Sequence, residues 1–172
     1  MVEHIYQSNR IEGISDDREI EQSLTAWRWL MAQPDLTHDV VREVQRVVVA
    51  NQVELKPAER GAYRDVSQVN VVVGGYRPPH WQDVPALMND WLAGLGSRTP
   101  WLNHVEFEGV HPFVDGNGRT GRMLLWREQI LGGFEPMLIL GDHRLAYFRD
   151  LEWHRKVLAA GEAVASGWSS GV

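Results

Sequence analysis

The sequence predicts a mainly α-helical fold, a helical bundle that carries one small β-hairpin. Three observations predict it. Apolar residues recur at three- and four-residue spacing through most of the chain. Proline or paired glycine closes several of these runs. One segment alone, "VNVVVGGYRPP", drops the helical period for β-branched residues around a Gly-Gly pair. With 172 residues, 44% of them apolar, the chain is long enough to bury a core as a single domain, 1–172.

The elements follow in order. From Asp16 to Gln33, Ile20, Leu24, Trp27 and Leu30/Met31 share a face, and Pro34 ends the run. Between Asp39 and Asn51 the stripe is Val40, Val41, Val44, Val47 and Val48, a helix in spite of valine's weak propensity. The hairpin occupies about 69–79, and because a lone hairpin is marginal in water it must lean on the helices. "QDVPALMNDWLAGL" gives a further helix with Val84, Leu87, Met88, Trp91 and Leu92 inward. Thr99-Pro100 reads as an N-cap followed by proline at the first helical position, opening a helix toward Val110. Another starts near Gly118 and stops at Gly132-Gly133. The last spans Leu145 to about Ala165, and 166–172 reads as a frayed tail.

Composition narrows the function classes. A net charge of −6 disfavours broad attraction to nucleic acid or anionic membrane, although a local basic pocket is compatible with it. The absence of cysteine removes disulfides and thiolate-bound metals. No stretch reaches the roughly 18 apolar residues of a membrane span, and the N-terminus has no signal-like apolar core, so a cytoplasmic location is expected. Eight tryptophans are expected to supply several core anchors. His80, His143 and His154 are expected at the surface.

The chemistry concentrates in "HPFVDGNGRTGR", His111 to Arg122. Gly116 and Gly118 permit close approach of a ligand to the main chain where a loop enters a helix, and the first amides of that helix form an anion site. Asn117 can add a side-chain donor. Arg119 and Arg122, three apart, are expected to project from one face of the first turn, where cations oppose the helix dipole unless an anion offsets them. Asp115 alone would repel phosphate, and a magnesium ion resolves that conflict because it takes one or two carboxylates together with phosphate oxygens. His111 can accept a proton from an incoming hydroxyl. Phe113 and Val114 pin the loop to the core. His104 and His111 lie seven apart without a supporting HExxH pattern, which argues against a zinc site, and no GxxxxGK(S/T) loop or GxSxG elbow is present. The residues read as a site for attack on a nucleotide phosphate.

The same stretch resembles the signature of the Fic (filamentation induced by cAMP) family, HPF-x-(D/E)-GNGR-x-x-R, at every specified position, and the resemblance extends from about Ser8 to about Leu151. It implies a Fic-type bundle with a flap hairpin, and a nucleotidyltransferase that moves AMP from ATP to a Ser, Thr or Tyr hydroxyl of a target protein. By this resemblance His111 is the general base, Asp115 holds Mg2+, and Gly116, Asn117 and Gly118 line the anion hole. Arg119 and Arg122 engage the outer phosphates. The flap residues Val71, Val72, Val73, Gly74, Gly75 and Tyr76 clamp the target segment by strand pairing. Tyr147 and Phe148 are candidates for the adenine pocket, with the core as their other reading.

"SNRIEG", Ser8 to Gly13, taken alone is a short polar helix ended by glycine. Beside the signature it resembles the family's inhibitory motif, (S/T)-x-x-x-E-(G/N), in which the glutamate pairs with the second arginine and blocks the productive pose of ATP. That implies an N-terminal inhibitory helix at about 5–15, with Ser8, Glu12 and Gly13 as its motif and Arg122 as the partner of Glu12. The expected partners are therefore ATP and a target protein, with no nucleic acid and no membrane. Self-modification and homo-oligomerisation remain open. So do two other functions of the same site: removal of AMP from a modified protein, and nucleotide-dependent regulation without turnover.

Overall fold

The structure is a computed structural model that describes residues 1–65 and 76–159. Seven α-helices run through the described residues: α1 Val2–Ile11, α2 Asp17–Met31, α3 His38–Val48, α4 Val84–Ala93, α5 Pro100–Val110, α6 Asn117–Leu131 and α7 Arg144–Ala159. The mainly helical class is as expected. Most of the expected hairpin, including Val71, Val72, Val73, Gly74 and Gly75, lies outside the described residues, which resume at Tyr76; so do the end of the last helix near Ala165 and the 166–172 tail.

Local chemistry sets most helix starts. The Asp16 carboxylate accepts from the amides of Arg18 and Glu19, and Thr37 accepts from Val40. Thr99 caps the Leu102 amide with Pro100 at the first helical position, where its missing N–H costs nothing. α1 begins and ends some three residues before the expected inhibitory helix, so Glu12 is its C-cap residue rather than an interior one.

α6 is the central helix. It packs against α1, α2, α3 and α5, and every residue from Arg119 to Arg127 is buried. Around it lie Ile5, Trp27, Leu30, Val41, Val44, Val48, Met88, Trp91, Phe107 and Phe113, with Trp126 of α6 itself at the centre. Three tryptophans, Trp27, Trp91 and Trp126, are the expected core anchors. A smaller cluster under α7 joins Ile11, Val105, Ile139, Tyr147 and Leu151. One expectation is corrected here: His154 is buried, not superficial. It shares the inward stripe of α7 with Tyr147 and Leu151, stands edge-on to Trp101, and its Nδ1 meets the Asp150 carbonyl at 2.8 Å. His80 and His143 are exposed, as expected.

Candidate active site

The loop from His111 to Gly116 joins α5 to α6 and is held from several sides. His111 is the C-cap of α5 in the left-handed conformation (φ 49°, ψ 61°), uncommon for a residue other than glycine. Arg64, itself buried, grips that cap. Its guanidinium donates to the carbonyls of His111 (2.8 Å), Val110 (3.2 Å) and Pro79 (2.6 Å), and its own amide donates to Pro112. Phe113 is fully buried, so the loop is pinned by its side chain, while Val114 is half-buried. Gln45 of α3 donates to the Asp115 carbonyl at 2.9 Å. Gly116 has φ 77°, and a Cβ there would lie 2.6 Å from Val49, so conformation and space both demand glycine.

Beyond Gly116 the amides of Asn117, Gly118 and Arg119 precede the first intrahelical bond of α6, Thr120 N–H to Gly116 O. They lie without intrahelical partners at the positive end of the helix, an arrangement able to receive an anion. Asn117 does not add a donor to it. Its Oδ1 accepts from the Phe113 amide and its Nδ2 donates to the Phe113 carbonyl, both at 2.9 Å. The side chain closes the loop on itself.

The two arginines part company. Arg119 is buried and points back to α2 and α3, where it pairs with Glu19 Oε2 at 2.9 Å and donates to the Val48 carbonyl. The expectation of two guanidiniums on one face does not hold, because both lie in the interior and turn toward different partners. Arg122 meets the end of α1: Nε donates to Ser8 Oγ (2.8 Å), and Nη2 donates to the Ser8 carbonyl (3.0 Å) and to Glu12 Oε1 (2.6 Å). It also lies over the Tyr147 ring, 5.6 Å from the centroid. Burial acts against the charge of Arg122, yet Glu12, Tyr147 and Glu108 together hold its pKa above the ordinary guanidinium value. The Glu12 carboxylate stands directly over Gly118, where any Cβ would collide with it.

Burial, with Arg64 and Arg155 adding to it, pushes His111 down to about 4. The imidazole is therefore neutral at pH 7 and can accept a proton. Its Nδ1 is buried without a hydrogen-bond partner. Tyr147 is buried, with its hydroxyl 2.8 Å from His104 Nε2 and 3.4 Å from Arg122, while Phe148 beside it is exposed. Tyr76 donates from its hydroxyl to the Gly109 carbonyl, and Arg155 stacks on its ring at 4.2 Å. Gly13 follows Glu12 at φ 75°, which turns the chain toward α2.

Asp115 is exposed, and its Oδ1 accepts from the Gly116 amide at 2.5 Å. That bond fixes the carboxylate beside the cradle. No group of three or more His, Cys, Asp or Glu able to hold a metal occurs among the described residues. One fixed carboxylate next to a phosphate-binding helix end fits a magnesium ion that arrives with nucleotide phosphates. Arg64, Glu19, Gln45 and Glu108 were not singled out from sequence. None carries a local signature, since each acts through a contact made in three dimensions.

Residues 35–127 match the family model described as the Fic/DOC family. The chain is 32% identical over 121 residues to the protein adenylyltransferase Fic of Aedes aegypti, covering 65% of this chain and 23% of that protein. It is 33% identical over 132 residues to the protein adenylyltransferase Fic of Drosophila melanogaster, covering 72% and 26% respectively. The chain thus spans about a quarter of the length of these relatives. Among solved structures, a Fic domain containing signaling protein from Bacteroides thetaiotaomicron superposes with a TM-score of 0.74 at 21% identity, covering 88% of this chain and 70% of that one. Fic-1 from C. elegans gives 0.68 at 22% identity, covering 92% and 59%.

Proposed function

The chain belongs to the Fic/DOC family, and from that premise we propose that it is a protein adenylyltransferase held at rest by its own Glu12. The observation that carries the reading is the bond from Glu12 Oε1 to Arg122 Nη2 at 2.6 Å, made at the mouth of the α6 cradle on a guanidinium that is fully buried. A buried guanidinium at a helix N-terminus needs an anion. Glu12 fills that need at rest, and a nucleotide phosphate fills it at work.

In the working state the amides of Asn117, Gly118 and Arg119 take the inner phosphates and Arg122 an outer one. Arg119, paired with Glu19, braces the start of α6 and offers its amide rather than its guanidinium. A hydroxyl of a target protein attacks the α-phosphorus, the new O–P bond forms, and the bond to pyrophosphate breaks. The hydroxyl proton passes to His111; with Nδ1 buried, Nε2 is the acceptor. Neutral histidine at pH 7 suits this step. Asp115 would hold magnesium, which supplies charge neutralisation for the phosphates when bound. The rest of the catalysis is positioning and charge stabilisation by the chain. The flap around Val71 to Tyr76 takes the target segment by strand pairing, and Tyr147 closes the inner wall against Arg122.

The test is labelling of a lysate, and of the protein itself, with isotopically marked ATP, read by mass spectrometry. Glu12→Gly should raise AMP incorporation by about tenfold or more, and His111→Ala added to it should abolish the signal. If Glu12→Gly labels nothing and binds ATP no better than wild type, the reading is wrong. If wild type removes AMP from a modified protein and Glu12→Gly cannot, the site runs in the opposite direction.

A further inference from the structure

Glu108 lies on α5, one helical turn before His111, and is only 7% exposed. Its Oε1 is buried with no hydrogen-bond partner. The carboxylate abuts the backbone of α6 at Gly121, one residue before Arg122, where a Cβ would stand 2.5 Å from Oε1. An unpartnered carboxylate this deep is costly when charged. Arg122 bonds Glu12 and not Glu108, yet both carboxylates act on its charge. Two carboxyl groups thus act on one guanidinium, and only Glu12 is hydrogen-bonded to it.

We infer that Glu108 is a positioning residue for whatever anion Arg122 holds: it carries a proton while Glu12 or a nucleotide phosphate occupies the guanidinium, and it becomes the counter-carboxylate of Arg122 when that anion leaves. Departure of Glu12 then moves Glu108 toward its charged form and releases a fraction of a proton to solvent near pH 7, and arrival of a phosphate takes it up again. Arg122 would never stand as an uncompensated buried charge between its two partners. The nucleotide half of this inference rests on the reading proposed above; the sharing of Arg122 between Glu12 and Glu108 does not.

The surrounding groups agree with this assignment. Burial pushes Glu108 up to about 7; Arg122 opposes the rise, Glu12 adds to it, and Arg155 of α7 opposes it weakly. Tyr147 of α7 feels both Arg122 and Glu108, and burial keeps its phenol protonated. His104 and His111, on the same helix as Glu108, are pushed down to about 3 and about 4, so neither changes charge near neutral pH. Of the groups around Arg122, Glu108 is the one placed to exchange a proton there.

The experiment is a carboxyl-carbon NMR titration of the full chain, with Glu108→Gln used to assign the resonance. In wild type the Glu108 midpoint is expected near 7, and in Glu12→Gln about one pH unit lower or more, because a like charge has gone. A midpoint that does not move, or one in the ordinary carboxylate range in wild type, overturns the inference. A second arm titrates Glu12→Gly with ATP by calorimetry at pH 7 in two buffers of different ionisation enthalpy. The expected result is proton uptake that disappears when Glu108→Gln is added, with Glu108→Asp retaining part of it. Binding without Glu108-dependent uptake also overturns the inference. A Glu12-dependent shift in Glu108 together with no ATP binding to Glu12→Gly would instead sink the nucleotide reading and leave the shared arginine standing.

Discussion

Asn117 uses both ends of its side-chain amide on Phe113, accepting from the backbone N–H and donating to the carbonyl. The same residue type could have donated to a ligand, but buried backbone groups without partners cost more than one extra ligand bond returns. The loop that carries His111 and Asp115 therefore depends on it. Asn117→Ala should cost about 1–3 kcal/mol in urea unfolding, because it strands the Phe113 amide and carbonyl in the interior. A change below about 0.5 kcal/mol would remove the staple role. Arg119 carries the matching lesson. Spacing put two arginines at the start of one helix, yet which way each turns was decided by Glu19 on α2 and Glu12 beyond α1.

At the level of elements, the contact of α5 with α6 sets how close His111 and the N-terminus of α6 lie. Two helical glycines are expected to respond with opposite signs, Gly121 at this contact and Gly109 where α5 faces Arg155 of α7. At Gly121 of α6 a Cβ would approach Glu108 Oε1 to 2.5 Å and Phe107 to 2.9 Å, so Gly121→Ala should destabilise by about 1–3 kcal/mol despite alanine's better helix propensity. At Gly109 of α5 the nearest atom is Arg155 Cδ at 3.5 Å, an ordinary contact, and Gly109→Ala should stabilise by about 0.5–1 kcal/mol. Thermal or urea denaturation of both variants checks the pair; a Gly121→Ala variant as stable as wild type would mean that the α5–α6 seam is looser than described. The helices were legible beforehand in existence, type and most caps, Thr99-Pro100 and Asp16 above all, because capping and periodicity are properties of neighbouring residues. The seam was not, since it depends on which faces meet.

For the molecule as a whole, the contact of Glu12 with Arg122 is built into the packing. α1 contributes Ile5 and Ile11 to the interior, bonds α2 through Asn9 and Ser23, and accepts the Gly141 amide on Gln7. Glu12 is only the last residue of that docked element, and its side chain is one-third exposed. Rotation of the Glu12 side chain off Arg122 is therefore far cheaper than undocking α1. Hydrogen exchange should find the α1 amides as protected in Glu12→Gly as in wild type, whereas Ile5→Ala should lower global stability by about 2–5 kcal/mol. Rapid exchange throughout α1 in Glu12→Gly would mean that the helix is held by its final carboxylate instead. The sequence by itself determined the helical class, most helix starts, the contiguous stretch from His111 to Arg122 that joins α5 to α6, and the resemblance to the family. These rest on short-range periodicity, capping and a contiguous motif. The pairing of Glu12 with Arg122 across 110 residues was already implied by the resemblance of the two motifs, but only the tertiary structure decided that Arg119 turns to Glu19, that Asn117 closes its own loop, and that Glu108 Oε1 stands unpartnered behind the seam. The reason is physical: a buried charge takes its partner from whichever element packing brings within about 3 Å, and packing is a property of the assembled core.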